Sequence, residues 1–151
     1  MAHNPVNHPA QPIYRAIGGL VGIYLVIFGI LGITATSGGE LFSRDDVLVL
    51  GQGTNLGHSL LAAGLGAVIL IAAGLGRNRD VAVNKTLAIA FIVVGLGSLA
   101  VQSTAVNILN FTDITCIVNM VMGVVLLAAG LYGRVGTDEE HRAWQKSRLV
   151  L

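Results

Sequence analysis

The sequence predicts an all-α membrane protein, a four-transmembrane-helix bundle that runs up-down-up-down with short connectors and both termini cytoplasmic. The chain has 151 residues, of which 54% are hydrophobic, and a mean hydropathy of +0.75. Its nine basic and eight acidic residues all lie outside four apolar stretches. Each stretch supplies the roughly 20 residues that cross ~30 Å of hydrocarbon as a helix. The stretches are Ala16–Gly39, Val47–Gly76, Thr86–Thr112 and Ile114–Gly133.

The domain organisation follows from these stretches. The first fifteen residues contain all three prolines of the chain, which predicts an irregular cytoplasmic tail over 1–15. The next region is a transmembrane domain over 16–133, and the last is a partly helical cytoplasmic tail over 134–151. Four spans and their connectors leave no room for a separate soluble domain. The predicted spans are Ala16–Thr36, Thr54–Gly76, Thr86–Ser103 and Ile114–Gly133.

Each span carries a stripe of mostly small residues at helical spacing. Membrane helices associate through close backbone approach, so such stripes predict the faces that pack together. The glycines expected at these contacts are Gly18, Gly22, Gly29, Gly66, Gly95, Gly123 and Gly130. The second and fourth spans also end in similar segments, Leu70–Arg77 and Leu126–Arg134, which suggests a repeat of two helical hairpins.

The basic residues predict the orientation in the membrane. Eight of the nine flank the spans on the side of the two termini, and Arg44 alone lies on the opposite side, beside Glu40, Asp45 and Asp46. Because cytoplasmic loops are enriched in Lys and Arg, both termini are predicted to be cytoplasmic. The expected location is the cell inner (plasma) membrane, as a multi-pass protein. The eight basic residues on the side of the termini are Arg15, Arg77, Arg79, Lys85, Arg134, Arg142, Lys146 and Arg148.

The C-terminal tail carries a helix-start motif. Thr137 is followed three residues later by Glu140, a spacing typical of a capping box. We therefore expect a short cytoplasmic helix that ends near Ser147.

Polar side chains cluster near the extracytoplasmic ends of the spans. Unpaired polar groups inside a membrane are costly, so these side chains are expected to face one another within the bundle. They are the candidate ligand-binding residues. Asp113 also lies where a helix N-terminus favours negative charge, so helix capping explains it equally well. The set is His58, Asn55, Gln102, Asn119 and Asp113.

Two segments resemble a known family. Asn55-Leu-Gly-His58 opens the second span, and Asn107-Ile-Leu-Asn-Phe-Thr-Asp113 leads into the fourth, which carries Asn119-Met-Val-Met-Gly123. With the length and layout, these resemble the bacterial four-helix membrane proteins catalogued as domain of unknown function 4383, over roughly Tyr14 to Gly133. The resemblance implies a fold and a bacterial inner membrane but no activity. The family has a histidine where this chain has Asn119, so a mechanism with two intramembrane histidines is not implied.

His58 is the only ionisable side chain well within a span, which makes it a functional candidate. A neutral imidazole can equally serve as a packing element that pairs with Asn119 or Gln102. Haem b, with Met120 or Met122 as its second axial ligand, is a less favoured alternative. An absorption spectrum without a Soret band would exclude it. The sequence otherwise predicts no cofactor.

Several classes of function are disfavoured. The formal net charge of +1 predicts no nucleic-acid partner, and no acidic residue lies within a span to carry protons or ions. The tail histidines His3 and His8 lack the rigid geometry of a metal site, so none is predicted. The outer-face residues Asp45, Asp46, His58 and Asp113 have no spacing typical of a metal or acid–base motif, so no catalytic residue is predicted.

The sequence favours an integral membrane protein without catalytic activity, an accessory or structural subunit packed against a larger membrane protein complex. Its expected partners are membrane lipids and either that complex or further copies of the chain. The alternative is a binder of a small ligand, a lipid or quinone head group, in a polar pocket around His58 near the outer leaflet.

Overall fold

The computed structural model describes residues 5–148, so the ends of both predicted tails, including His3, lie outside the described residues. The described chain is mostly helical. Four of its helices are long and apolar enough to cross a membrane, which confirms that part of the fold prediction. The elements in order are α1 (Gln11–Ala35), β1 (Leu48–Val49), β2 (Gln52–Gly53), α2 (Leu56–Leu75), α3 (Arg79–Val101), α4 (Asp113–Tyr132) and α5 (Asp138–Arg148).

Two helices begin earlier than the hydropathy pattern predicts. Helix α1 begins at Gln11 rather than Ala16. Pro12 lies in its first turn, where backbone N–H groups have no partner within the helix, so the missing N–H of proline costs nothing there. Helix α3 begins at Arg79 rather than Thr86, with Asp80 in its first turn. In both cases the helix includes polar residues that precede the apolar stretch, and hydropathy alone does not assign these residues to the span.

The outward surfaces of the long helices are apolar. Leu20, Val93 and Val124 are each more than 60% exposed, although they belong to three different helices. Soluble monomers rarely expose contiguous apolar surface on this scale. A lipid environment accounts for it, because hydrocarbon carries no penalty for contact with these side chains.

Helices α1 and α2 pack closely through glycine. A Cβ added at Gly66 would lie 2.7 Å from the carbonyl oxygen of Gly22, and one added at Gly29 would lie 2.6 Å from the backbone nitrogen of Ala63. Both distances are shorter than real contacts, so only glycine permits this approach. Successive contacts advance along α1 while they recede along α2, from Gly22 with Gly66 to Gly32 with Ser59. The two helices therefore run in opposite directions.

Helices α3 and α4 form a second close pair by the same means. A Cβ at Gly123 would lie 2.9 Å from the carbonyl oxygen of Ala88, and one at Gly95 would lie 2.9 Å from that of Cys116. This pair also runs in opposite directions, and it contacts the first pair less extensively than its two helices contact each other.

The two ends of the bundle differ. At one, called the basic end below, Arg15 donates to the carbonyl oxygen of Ala73, and Asn78 donates to that of Val135 at 2.7 Å. The other, called the loop end, carries the two long connections, 36–55 and 102–112. Polar side chains at the loop end can therefore meet only where these two connections fold against the helices.

The C-terminal helix α5 begins with both hydrogen bonds of a capping box. The Glu140 backbone nitrogen donates to the Thr137 hydroxyl at 3.2 Å, and the Thr137 nitrogen donates to the Glu140 carboxylate at 2.9 Å. The helix extends to Arg148.

A small β-hairpin interrupts the otherwise helical chain before α2. Its turn residues, Leu50 and Gly51, both have positive φ, as a type I′ turn requires. The hairpin packs between α1 and α4, and Val49 joins the hydrophobic core with Leu25 and Phe28. It thereby carries the neighbouring Gln52 into the bundle.

Candidate functional site

A cavity of about 130 Å³ lies among the four long helices, toward the loop end. Most of its wall is aliphatic or aromatic, and four polar side chains contribute to it. Leu61, Ala90 and Val94 are the exposed members of the wall, so the cavity opens between α2 and α3. The full lining is Tyr24, Leu25, Phe28, Gln52, His58, Leu61, Ala62, Leu65, Leu87, Ala90, Phe91, Val94, Leu109, Phe111, Asn119 and Met122.

His58 occupies the first turn of α2 and is 7% exposed. Its ring lies between two phenylalanine rings, with centroid distances of 5.2 Å to Phe28 and 4.6 Å to Phe111. The imidazole also lies near the Gly53 backbone. Its Nδ1 atom nevertheless has no hydrogen-bond partner among the described residues. A buried polar atom without a partner costs roughly 1–3 kcal/mol, so the structure keeps His58 here at a cost to stability.

Asn119 is the second unpaired polar group of the cavity. It lies on α4 and is 4% exposed, so it is buried as deeply as the surrounding core. Its side chain makes no hydrogen bond to another residue within 5–148. The amide thus has both donors and acceptors free, and it lines the same cavity as His58.

Tyr24 and Gln52 form the third polar feature. The Gln52 side-chain nitrogen donates to the Tyr24 hydroxyl oxygen, which leaves the tyrosine hydrogen available to another acceptor. Gln52 reaches Tyr24, in the middle of α1, only because the hairpin enters the bundle. Neither residue was predicted from the sequence to belong to the site. The Leu50–Gly53 segment, with two glycines in four residues, was the one available sign of a turn before α2.

Asn55 lies outside the cavity, although it was predicted to bind the ligand. It is 1% exposed and caps α2 by accepting from the His58 backbone nitrogen at 2.9 Å. Its side-chain nitrogen donates to the carbonyl oxygens of Ser43, at 3.1 Å, and Ile108, at 2.8 Å. These bonds connect both loop-end connections to the start of α2, which is a structural role.

Gln102 and Asp113 also lie away from the cavity. They hydrogen-bond to each other on an exposed surface, and neither contributes to the cavity wall that His58 lines. Asp113 is in the first turn of α4, but the cap is Thr112, whose hydroxyl accepts from the Thr115 nitrogen. The predicted capping role therefore belongs to Thr112. Of the five predicted residues, the fold brings only His58 and Asn119 to one cavity.

The described part of the chain has no cluster of side chains that could hold a metal ion. No three His, Cys, Asp or Glu side chains are grouped there as metal ligands would be. His8 packs against the rings of Tyr14 and Tyr132. Of the two methionines considered as haem ligands, Met122 lines the cavity, whereas Met120 packs near Gly95 between α3 and α4.

Comparison of the chain with protein-family models, with curated proteins and with solved structures finds no match.

Proposed function

We propose that this chain is a multi-pass membrane protein that binds a small membrane-borne ligand, a lipid or quinone head group, in the cavity between its helices. One observation carries the proposal: the buried side chains of His58 and Asn119 line one mostly apolar cavity, and within residues 5–148 the Nδ1 atom of His58 has no hydrogen-bond partner and the Asn119 amide makes no hydrogen bond. Ligand sites commonly combine an apolar wall with a few such polar groups. A ligand that hydrogen-bonds to them offsets the cost of their burial.

The proposed placement in the membrane is up-down-up-down with both termini cytoplasmic, in a bacterial inner membrane. The basic residues near the start of α1 and after the end of α2 support this orientation, because the positive-inside rule places the basic end of the bundle in the cytoplasm. The cavity would then lie in the outer leaflet. The resemblance to domain of unknown function 4383 is part of this proposal and agrees with it in length and layout.

The test is purification of the wild-type chain from its native membrane in mild detergent, followed by organic extraction and mass spectrometry. We expect a co-purifying small molecule that the His58→Phe variant loses by about tenfold or more. The variant should fold, because a phenyl ring fits between Phe28 and Phe111 and removes an unpaired buried nitrogen. Its thermal stability should equal or exceed that of the wild type.

A matched control is Leu60→Phe, on the same helix but outside the cavity lining and 48% exposed. It should retain the ligand. If His58→Phe abolishes folded expression, His58 serves packing rather than binding. If the wild type yields no small molecule in any mild detergent, the binding proposal fails.

The second candidate is an accessory subunit of a larger membrane protein complex, or a homo-oligomer. Gly64 on α2 and Gly97 on α3 favour it, because a Cβ added at either would meet nothing within 4 Å. Small residues on an open membrane-facing surface allow another helix to approach closely. We expect native mass analysis to detect other proteins, or further copies of this chain, bound to the wild type. The Gly97→Leu variant should lose them. A free monomer in every mild detergent would contradict this candidate.

A further inference from the structure

We infer that the cavity takes a lipid-soluble benzoquinone or its quinol, with the single ring inside the cavity and an apolar tail leaving between α2 and α3. The inference rests on the proposed ligand-binding function and specifies the chemical class of the ligand. Four features of the cavity support it: its volume, its aromatic wall, its free hydrogen-bonding groups and the position of its mouth.

The volume selects a small ring. An apolar cavity of about 150 Å³ lined by Leu, Ile and Phe holds one benzene molecule. The cavity here measures about 130 Å³, so it accommodates one six-membered ring but not the glycerophosphate group of a phospholipid. Whatever remains of the ligand lies outside the cavity.

The wall favours a flat, aromatic-like occupant. Three of the chain's four phenylalanines, Phe28, Phe91 and Phe111, line the cavity, together with Tyr24. Planar rings pack against aromatic side chains through stacked or edge contacts that are worth about 0.5–1.5 kcal/mol beyond burial. A simple acyl chain gains no such contact, so this concentration of rings distinguishes a quinone from a fatty acid.

The free polar groups match oxygen atoms on a ring. The Tyr24 hydroxyl accepts from Gln52 and so has its hydrogen free, and the Asn119 amide has two N–H donors free. Both groups donate to a quinone carbonyl. His58 lines the same cavity, and its enclosed, unpaired Nδ1 would accept from a quinol hydroxyl once the ring rotates toward the ligand.

The mouth of the cavity sets the direction of the tail. The exposed wall residues Leu61 and Val94 are 48% and 43% exposed, and both are apolar. Leu61 and Val94 come from α2 and α3, which contact each other less than either contacts its close partner. An apolar tail that leaves here stays in hydrocarbon, whereas a charged head group at the same place would lose its hydration.

The test is calorimetric titration of the chain in phosphatidylcholine nanodiscs, with empty nanodiscs as the blank. The probes are a decyl-tailed benzoquinone, a decyl-tailed naphthoquinone and decanol, which has the tail without the ring. We expect saturable binding of the benzoquinone, with the other two at least about tenfold weaker. The Ala90→Trp variant should bind the benzoquinone with an affinity reduced by a similar factor. Ala90 is an exposed residue at the mouth of the cavity, and the larger tryptophan ring would block that mouth.

The matched control is Ile89→Trp, the neighbouring residue of α3, which is 61% exposed and outside the cavity lining. It should bind the benzoquinone as the wild type does. Equal binding of decanol and benzoquinone would show that the cavity does not recognise a ring, and equal binding of the naphthoquinone would show that it is not limited to one ring; either result would overturn the inference. Benzoquinone binding that Ala90→Trp leaves unchanged would overturn the assigned entry route.

These outcomes separate the inference from the function on which it rests. Should the wild type bind no benzoquinone while a co-purified molecule is lost in His58→Phe, the ligand class is wrong and ligand binding stands. Should neither a co-purified molecule nor probe binding be found, both proposals fail.

Discussion

Replacement of Gly66 by alanine should destabilise the protein by about 1–3 kcal/mol, the usual cost of overpacking. The added methyl group would lie 2.7 Å from the Gly22 carbonyl oxygen and 2.8 Å from the Val26 backbone nitrogen. Both atoms belong to the backbone of α1 and cannot rotate away, so the two helices must separate. The separation also loses dispersion contacts along the whole α1–α2 interface, where no hydrophobic gain compensates in lipid.

The measurement is the free energy of unfolding in mixed micelles, with Gly64→Ala as the control. Gly64 lies one half-turn away on the same helix, and a Cβ there would meet nothing within 4 Å. Alanine is the better helix former, so Gly64→Ala should be neutral or slightly stabilising. Equal effects of the two substitutions would mean that helix propensity, rather than helix contact, decides the stability.

Replacement of Asn55 by alanine should destabilise the protein by about 2–4 kcal/mol, the sum of a lost helix cap and of buried acceptors left without partners. The side chain caps α2 and donates to Ser43 and Ile108, so its removal detaches both loop-end connections from the helix. The loss should appear both in the unfolding free energy and as faster amide exchange around residues 43 and 108.

The Asn55→Asp variant separates the two contributions. Aspartate retains the acceptor for the His58 nitrogen but replaces both donated hydrogen bonds with repulsion between oxygens. We expect it to be at least as destabilising as alanine. If instead both variants keep wild-type stability and lose only ligand binding, Asn55 belongs to the binding site and not to the scaffold.

The site was partly predictable. His58 and Asn119 could be chosen from sequence because polar residues are rare in apolar spans and tend to face inward. The same rule selected Gln102 and Asp113, which instead pair with each other on an exposed surface beyond the end of α3. The rule judges residues by their position along an apolar stretch. It cannot tell whether a polar residue near the end of a span faces a cavity or leaves the bundle.

The sequence alone determined that the chain has four segments long and apolar enough to cross a membrane, and which glycines lie where its helices pack, because apolar length and helical spacing are properties of consecutive residues. The tertiary structure decided where the cavity lies and what lines it. Its wall joins Tyr24 and Phe28, Gln52 of the hairpin, and Phe111 of a distant connection. These residues become neighbours only when the helices pack and the connections fold against them, and no local pattern in the chain records that arrangement.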